Sequence, residues 1–194
     1  MLEIEPMTVD HSSAVAKLHL NNLRTAYRGN SGLMLLRYYY MTLVQSGGAR
    51  GYVAVMDDFV KGYICGVWDR RIIKKALLKN YWIHLAIWGT IQLLFNPSII
   101  LPAANNNRRT NNRADSGYEL RPIVVSPEMR CIGLASQLVN SLLIDAEMRQ
   151  YKSIFLYTEE DNFMAIKFYT KFGFHLVSKH PAQKTTYLRF EYYL

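Results

Sequence analysis

The residues best suited to chemistry lie between Tyr118 and Phe174. An apolar stretch, Tyr118 to Val125, leads through a turn carrying Arg130-Cys131-Ile132-Gly133-Leu134-Ala135. Beyond it, Leu134, Leu138, Val139, Leu142, Leu143 and Ala146 recur at spacings of three and four, which predicts a helix with one buried face. Gly133 lets backbone approach a ligand closely, and Ala135 leaves the first helical turn uncluttered. Amides at a helix start lack partners within the helix, so this turn is a phosphate site in outline. A lone R-x-x-G-x-A string is more often a plain strand-to-helix turn. Further on, Asn162, Ala165 and Tyr169 fall within two helical turns, with Ala165 and Tyr169 on one face, and Gly173 suits the left-handed position that closes a helix.

These residues need a frame. Tyr118 to Val125 and Ser153 to Thr158 read as strands, each followed by a helix that begins at the strand's carboxyl end. Two such units side by side make a crevice where α/β proteins commonly bind ligands.

Together the two halves resemble the GNAT superfamily of acyl-CoA-dependent N-acetyltransferases. Its pattern is a strand, [Q/R]-x-x-G-x-[G/A] and a helix, then a strand and N-x-x-A-x-x-[F/L]-Y-x-K-x-G-F. The chain matches with Arg130, Gly133 and Ala135, then with Asn162, Ala165, Phe168, Tyr169, Lys171, Gly173 and Phe174. The close match covers roughly residues 118 to 178, about a third of the chain.

The resemblance implies that acetyl-CoA lies between strands that part at their carboxyl ends. Backbone amides from Arg130, Cys131, Ile132, Gly133, Leu134 and Ala135 would hold its pyrophosphate. Ile123, Val124 and Val125 would bond the pantetheine amides, one N–H polarising the thioester carbonyl. Asn162, Ala165 and Phe168 complete the implied cofactor set. Tyr169 would protonate the departing thiolate, a phenol's pKa near 10 being close enough to a thiol's. Glu119 matches the glutamate that serves some members as base; the alternative is a solvent-facing carboxylate at a strand end. Tyr27 and Arg28 sit where the family lines its acceptor pocket, and His180 lies in a loop that overhangs it.

Composition sets the bounds. The chain has 194 residues, half of them apolar, which suits a single domain over 1–194 with a sizeable core, an acyltransferase domain as the resemblance implies. Cys65 and Cys131 form no C-x-x-C pair and make no disulfide scaffold. Met1 to Glu5 reads as a strand, not a secretory signal, and the expected location is the cytoplasm. Asp10 is the expected cap of a helix to about Arg24, with His19 a core or boundary residue, and Ser31 the cap of a second helix to about Gln45. Tyr38-Tyr39-Tyr40 cannot all face inward on a helix. Gly51 to Met56 and Phe59 to Val67 read as a hairpin joined by Asp57-Asp58, and Cys65 is not expected to be a nucleophile, since no His lies near it in the chain. The tail reads as two strands, Phe174 to Ser178 and Thr186 to Tyr193, joined by a loop over Lys179 to Lys184.

From about 68 to 117 the chain departs from the family pattern. Eight Lys and Arg face two acids here, so this insertion carries +6 of the +8 net charge. Arg71, Lys75 and Lys79 repeat every fourth residue, and Tyr81 to Phe95 is almost wholly apolar. Fifteen helical residues span about 22 Å, short of the roughly 30 Å hydrocarbon core, so a spanning helix is not expected. A packed helical hairpin, a homodimer contact and peripheral contact of residues 70–95 with an anionic membrane remain as readings. A mobile loop is expected over Asn105 to Asn112. The arginines lack the motifs and interleaved aromatics of a nucleic-acid binder. No H-E-x-x-H, Cys/His cluster, Walker lysine or G-x-S-x-G occurs, so no metal is expected.

The expected fold is α/β (α+β): a GNAT-like mixed, mostly antiparallel sheet splayed at its centre, with helices on both faces and a helical insertion between strands 3 and 4. The expected activity is acetyl-CoA-dependent N-acetylation of a small-molecule amine, an amino sugar or nucleotide sugar first. The alternatives are a longer-chain N-acyltransferase with a membrane-associated insertion, or a non-catalytic acyl-CoA-binding scaffold.

Overall fold

The computed structural model describes residues 1–23, 29–95, 117–182 and 185–194. Its strands are β1 (Leu2–Pro6), β2 (Ala49–Met56), β3 (Phe59–Val67), β4 (Tyr118–Val125), β5 (Ser153–Glu159), β6 (His175–Pro181) and β7 (Thr186–Tyr193). The α-helices are α1 (Ser12–Asn22), α2 (Gly29–Gln45), α3 (Arg70–Phe95), α4 (Leu134–Met148) and α5 (Phe163–Phe172). The seven strands form one sheet in the order β1-β2-β3-β4-β5-β7-β6. The β1–β2, β3–β4, β5–β7 and β6–β7 pairings are antiparallel and β4–β5 is parallel. This is the mixed, mostly antiparallel sheet that the motifs implied, with a helix inserted between β3 and β4. Two aspartates join β2 to β3, and both Asp57 (φ 50°) and Asp58 (φ 66°) take the left-handed conformation that matches a two-residue turn to the sheet's twist.

The chain groups into two compact units, one holding the sheet with α4 and α5, the other holding α1, α2 and α3. In the sheet unit, the stripe predicted from spacing is the buried face of α4: Leu134, Leu138, Val139, Leu142 and Ala146 lie in the core with Tyr118, Leu120, Ile154 and Leu156. A polar clamp holds the far end of α4 to the start of β4. Tyr118 donates to Asp145 (2.7 Å), Arg149 donates to the same carboxylate (2.8 Å), and the Arg149 guanidinium lies 3.9 Å from the centre of the Trp68 ring. Burial, then the Asp145 carboxylate, push the Tyr118 phenol well above its usual range, so it stays a donor.

In the helical unit, the chain enters α1 one residue later than expected. The N-cap is His11, not Asp10, and no side chain caps the helix; the His11 ring instead accepts from the Thr8 backbone N–H (3.1 Å). Ser31 lies inside α2 rather than capping it. Of the tyrosine triplet, Tyr40 is fully buried while Tyr38 and Tyr39 are partly exposed, as the 100° step between helical residues requires. Tyr38 stacks on Tyr81 (centroids 4.2 Å apart) and meets the edge of His84 (4.9 Å), which fixes α3 on α2. Tyr81 also breaks the helical conformation (φ −132°, ψ 18°), so α3 is a kinked rod of 26 residues. Asp69 starts it by accepting from the Arg71 and Ile72 amides (2.8 and 3.1 Å). Among the described residues, no helix is long and apolar enough to cross a membrane. The Asn105 to Asn112 loop and the second arm of a hairpin lie outside the described residues.

His19 proves to be a boundary histidine, its Nδ1 2.6 Å from the Tyr40 hydroxyl. Burial lowers its pKa from an ordinary 6.5 to about 4. The neutral ring is therefore the folded form, and its stabilisation is complete above pH 6.5 and lost as pH falls through about 4. Between those values the unfolded chain binds the extra proton. We expect His19→Gln, which keeps an acceptor for Tyr40, to remove about 2 kcal/mol of this acid sensitivity, a value discounted for the ring's partial hydration. Urea unfolding followed from pH 7 to pH 4 measures it; parallel curves for both proteins would sink the assignment.

Candidate active site

The site grows from the way β4 and β5 pair. Their parallel ladder holds only two residue pairs, Tyr118 with Ile154 and Glu119 with Phe155. Beyond Glu119 the ladder stops, although β4 continues along β3 to Val125 and β5 continues along β7 to Glu159. Pro122 lies three residues beyond the last β4–β5 pair. It has no N–H to donate, and the β3–β4 register slips around it, Ile64 facing Ile123 while Cys65 faces Arg121. The result is a wedge, closed at the Tyr118 clamp and open at the carboxyl ends of both strands. Its β4 side carries Ile123, Val124 and Val125. The Val124 side chain is buried, so that residue offers the wedge backbone rather than side chain.

At the open end the chain makes one 3-10 turn, Pro127–Met129, and then the bend before α4. Cys131 (φ 63°) and Gly133 (φ 84°) are both left-handed. Arg130 reaches back to donate to the Val125 carbonyl (3.2 Å), tying the bend to the end of β4. The first bond inside α4 runs from the Gln137 N–H to the Gly133 carbonyl (3.2 Å), so the amides of Gly133, Leu134, Ala135 and Ser136 precede the helical ladder. No side chain caps this end. A Cβ built on Gly133 would meet nothing within 4 Å. Arg130, Cys131, Ile132 and Gly133 are all exposed, while the Leu134 side chain is in the core and offers only its amide. The residues thus fit a diphosphate: a bare helix start, open space above its glycine, and partial positive charge from the α4 dipole.

The second half of the motif forms α5. Asn162 is its N-cap, accepting from the Ala165 amide (3.2 Å), which gives this residue a local structural duty. Gly173 closes the helix at φ 111°, and the Phe174 N–H reaches the Tyr169 carbonyl (2.9 Å). Tyr169 is 7% exposed, packed edge-on against Phe168 (5.3 Å) and Phe174 (5.5 Å). Ala165 and Phe168 are partly buried against the same core. Burial pushes the Tyr169 phenol above its usual range.

Glu119 is 6% exposed, not a solvent-facing carboxylate, and Arg121 donates to it from Nε (3.1 Å). His180 is not in a loop: β6 runs on through Pro181, and His180 pairs with Tyr187, its Nε2 2.8 Å from the Ser178 hydroxyl and its ring 5.5 Å from that of Tyr157. Strand register adds neighbours that spacing along the chain could not supply. Glu119, Phe155, Glu191 and His175 form one row across the sheet, and Tyr157, Arg189 and Ser178 the next. The Arg189 guanidinium lies 4.7 Å from the centre of the Phe155 ring, and Ser153 donates to Glu191 (2.7 Å). Alternation along β5 and β7 hints at each strand's face, but only the pairing brings them together. Tyr27 and Arg28 lie outside the described residues. Cys65 is buried, and its thiol is pushed up by that burial, which leaves it inert as a nucleophile. Among the described residues, no group of three or more His, Cys, Asp or Glu side chains is placed to hold a metal ion.

A sequence model of the acetyltransferase (GNAT) family matches residues 34–174. The chain belongs to the GNAT family. It is therefore an acyl-CoA-dependent N-acetyltransferase, and solved structures share its fold. A GNAT-family acetyltransferase from Desulfovibrio desulfuricans superposes with a TM-score of 0.66 at 14% identity, covering 100% of this chain and 99% of the other. Ribosomal-protein-alanine N-acetyltransferase from Brucella melitensis gives 0.64 at 17% identity, over 99% of each chain. NAA60 from Arabidopsis thaliana, solved in complex with acetyl-CoA, gives 0.64 at 13% identity, over 100% of this chain and 99% of that one. No curated protein matches the sequence significantly.

Proposed function

We propose that this GNAT enzyme binds acetyl-CoA in the wedge between β4 and β5 and passes the acetyl group to the amine of a small molecule, an amino sugar or its nucleotide conjugate. The observation that carries the donor site is the two-residue β4–β5 ladder, which opens beside the bare start of α4. Ile123, Val124 and Val125 hold the pantetheine amides by their backbone, and the amides from Arg130 to Ala135 take the pyrophosphate. An N–H on β4 polarises the thioester carbonyl. Tyr169, held protonated by its burial, donates to the sulfur as the thiolate leaves. Glu119 accepts the amine's proton, with Arg121 fixing the orientation of the carboxylate.

The acceptor reading draws on the sheet face with Arg121, Tyr157, Arg189, Glu191 and His180. Guanidinium groups suit phosphate, carboxylates suit hydroxyls, and aromatic rings suit the flat faces of sugar or base. The test is thiol release from acetyl-CoA across amino sugars, nucleotide amino sugars, aminoacyl esters and short peptides. We expect nucleotide amino sugars to exceed peptides by at least tenfold in kcat/KM, about 1.4 kcal/mol of discrimination. A preference for peptides overturns the acceptor class, release with long-chain acyl-CoA alone overturns the acetyl donor, and binding without release with any amine leaves a scaffold.

A further inference from the structure

The exposed side of α3 carries none of the residues assigned above to acetyl transfer, and its composition is one-sided. Its 26 residues contain no Asp or Glu, and five of its first ten, Arg70, Arg71, Lys74, Lys75 and Lys79, are Lys or Arg. Within the helical unit, Ile73 is buried, and Tyr81 and His84 meet Tyr38 of α2. Two residues along a helix is about 200°, so Arg71 and Lys75 lie opposite Ile73, and Trp82 and Ala86 lie opposite His84. All four are exposed. Beside them Leu78 is 48%, Trp82 61%, Ile83 52% and Ile87 54% exposed. Cations at the first end and bulky apolar groups at the second are thus both exposed on α3, with Arg71, Lys75, Leu78 and Trp82 on the side turned away from α2.

We infer that this side of α3 docks the enzyme on an anionic lipid surface. The charge is what selects the occupant. The α3 of a second copy has no Asp or Glu to answer these five cations, so self-pairing leaves them unmatched or opposed. An anionic bilayer answers both parts at once: its phosphates take Arg71, Lys74, Lys75 and Lys79, and the headgroup boundary takes Leu78, Trp82 and Ile83. Tryptophan suits that boundary because its ring is apolar and its N–H is not. The helix is not one that crosses a bilayer, so it lies along the surface. The kink at Tyr81 separates the basic segment from the apolar one, which lets each meet the surface at its own angle.

The full-length chain tests this by co-sedimentation with vesicles rich in phosphatidylglycerol or made of phosphatidylcholine alone, at low and high salt. We expect salt-sensitive binding to the anionic vesicles, with a blue shift of tryptophan fluorescence. Each surface cation contributes roughly fivefold to such binding, so Lys75→Glu with Lys79→Glu lowers it by at least about 25-fold. Trp82→Ser with Ile83→Ser also lowers it and removes the blue shift, while acetyl transfer to a soluble amine is unchanged in both variants. These side chains are exposed, so folding survives their loss. Equal binding to neutral vesicles, or no binding to either, overturns the inference. So does a dimer in sedimentation equilibrium that Trp82→Ser dissolves, because a second copy then covers the helix.

Discussion

Gly133→Glu is expected to weaken CoA binding by at least about 100-fold, roughly 2.7 kcal/mol, while leaving a folded protein. The two halves of that statement have separate causes. Gly133 sits at φ 84°, where any side chain is strained by about 1–2 kcal/mol. Its Cβ direction, however, is open to 4 Å, so no clash is added to that strain. For a chain of 194 residues this is a fall of about 2–8 °C in Tm, which a melting curve reads directly. The carboxylate then projects into the space where the diphosphate is proposed to lie. Like charges about 4 Å apart repel by roughly 1–4 kcal/mol between bulk water and a protein surface, and the side chain also covers the Leu134 and Ala135 amides. Gly133→Ala adds bulk without charge and is expected to show a much smaller loss. Calorimetric titration with CoA measures all three proteins. Affinity within threefold of the parent in a folded Gly133→Glu protein would place the cofactor elsewhere.

The local geometry of the proposed cofactor site was legible in the sequence because its parts are close along the chain. Gly133, the α4 stripe and the Gly173 closure each depend on residues within one or two turns, where spacing alone carries the geometry. The neighbours on the proposed acceptor face depend on register. Tyr157 meets Arg189, and Glu119 meets Phe155, only through pairings between segments far apart in the chain. Two local readings failed for physical reasons as well. Lys179, His180 and Pro181 look like a loop because they are polar and contain proline, but β6 is the last strand of the sheet, where an edge tolerates both. Asp10 was the better capping residue by type, yet the Ser12 N–H bonds the Val9 carbonyl (3.1 Å) in a tight turn that starts the helix without it. Insertion α3 was legible in charge and apolar content but not in its kink, since Tyr81 breaks the helix where it stacks on Tyr38, a tertiary contact.

Tyr169→Phe is expected to lower kcat by 10²- to 10⁴-fold, with CoA affinity and Tm nearly unchanged. The substitution removes one oxygen and leaves the ring that packs against Phe168 and Phe174. No residue among those described hydrogen-bonds the Tyr169 hydroxyl, so its loss orphans no buried partner. A structural role alone therefore predicts a small effect on everything, and a role in proton donation predicts a large effect on kcat alone. Burial raises the phenol's pKa, which has a definite sign in the pH profile. The protonated form is the donor, so the parent keeps its activity to a higher pH than a free phenol would allow, and the Phe variant has no such alkaline limb to lose. The same rise widens the gap to a thiol, near 8.5, so the hydroxyl serves as a hydrogen-bond donor whose proton moves only as the thiolate departs. A more acidic leaving thiol should then depend on it less: the defect in Tyr169→Phe is expected to shrink with an activated thioester in place of acetyl-CoA. Single-turnover rates with both donors decide the matter. A kcat within threefold of the parent when chemistry limits the rate, or a defect the same size for both thioesters, would remove Tyr169 from the reaction and leave it a core residue of α5.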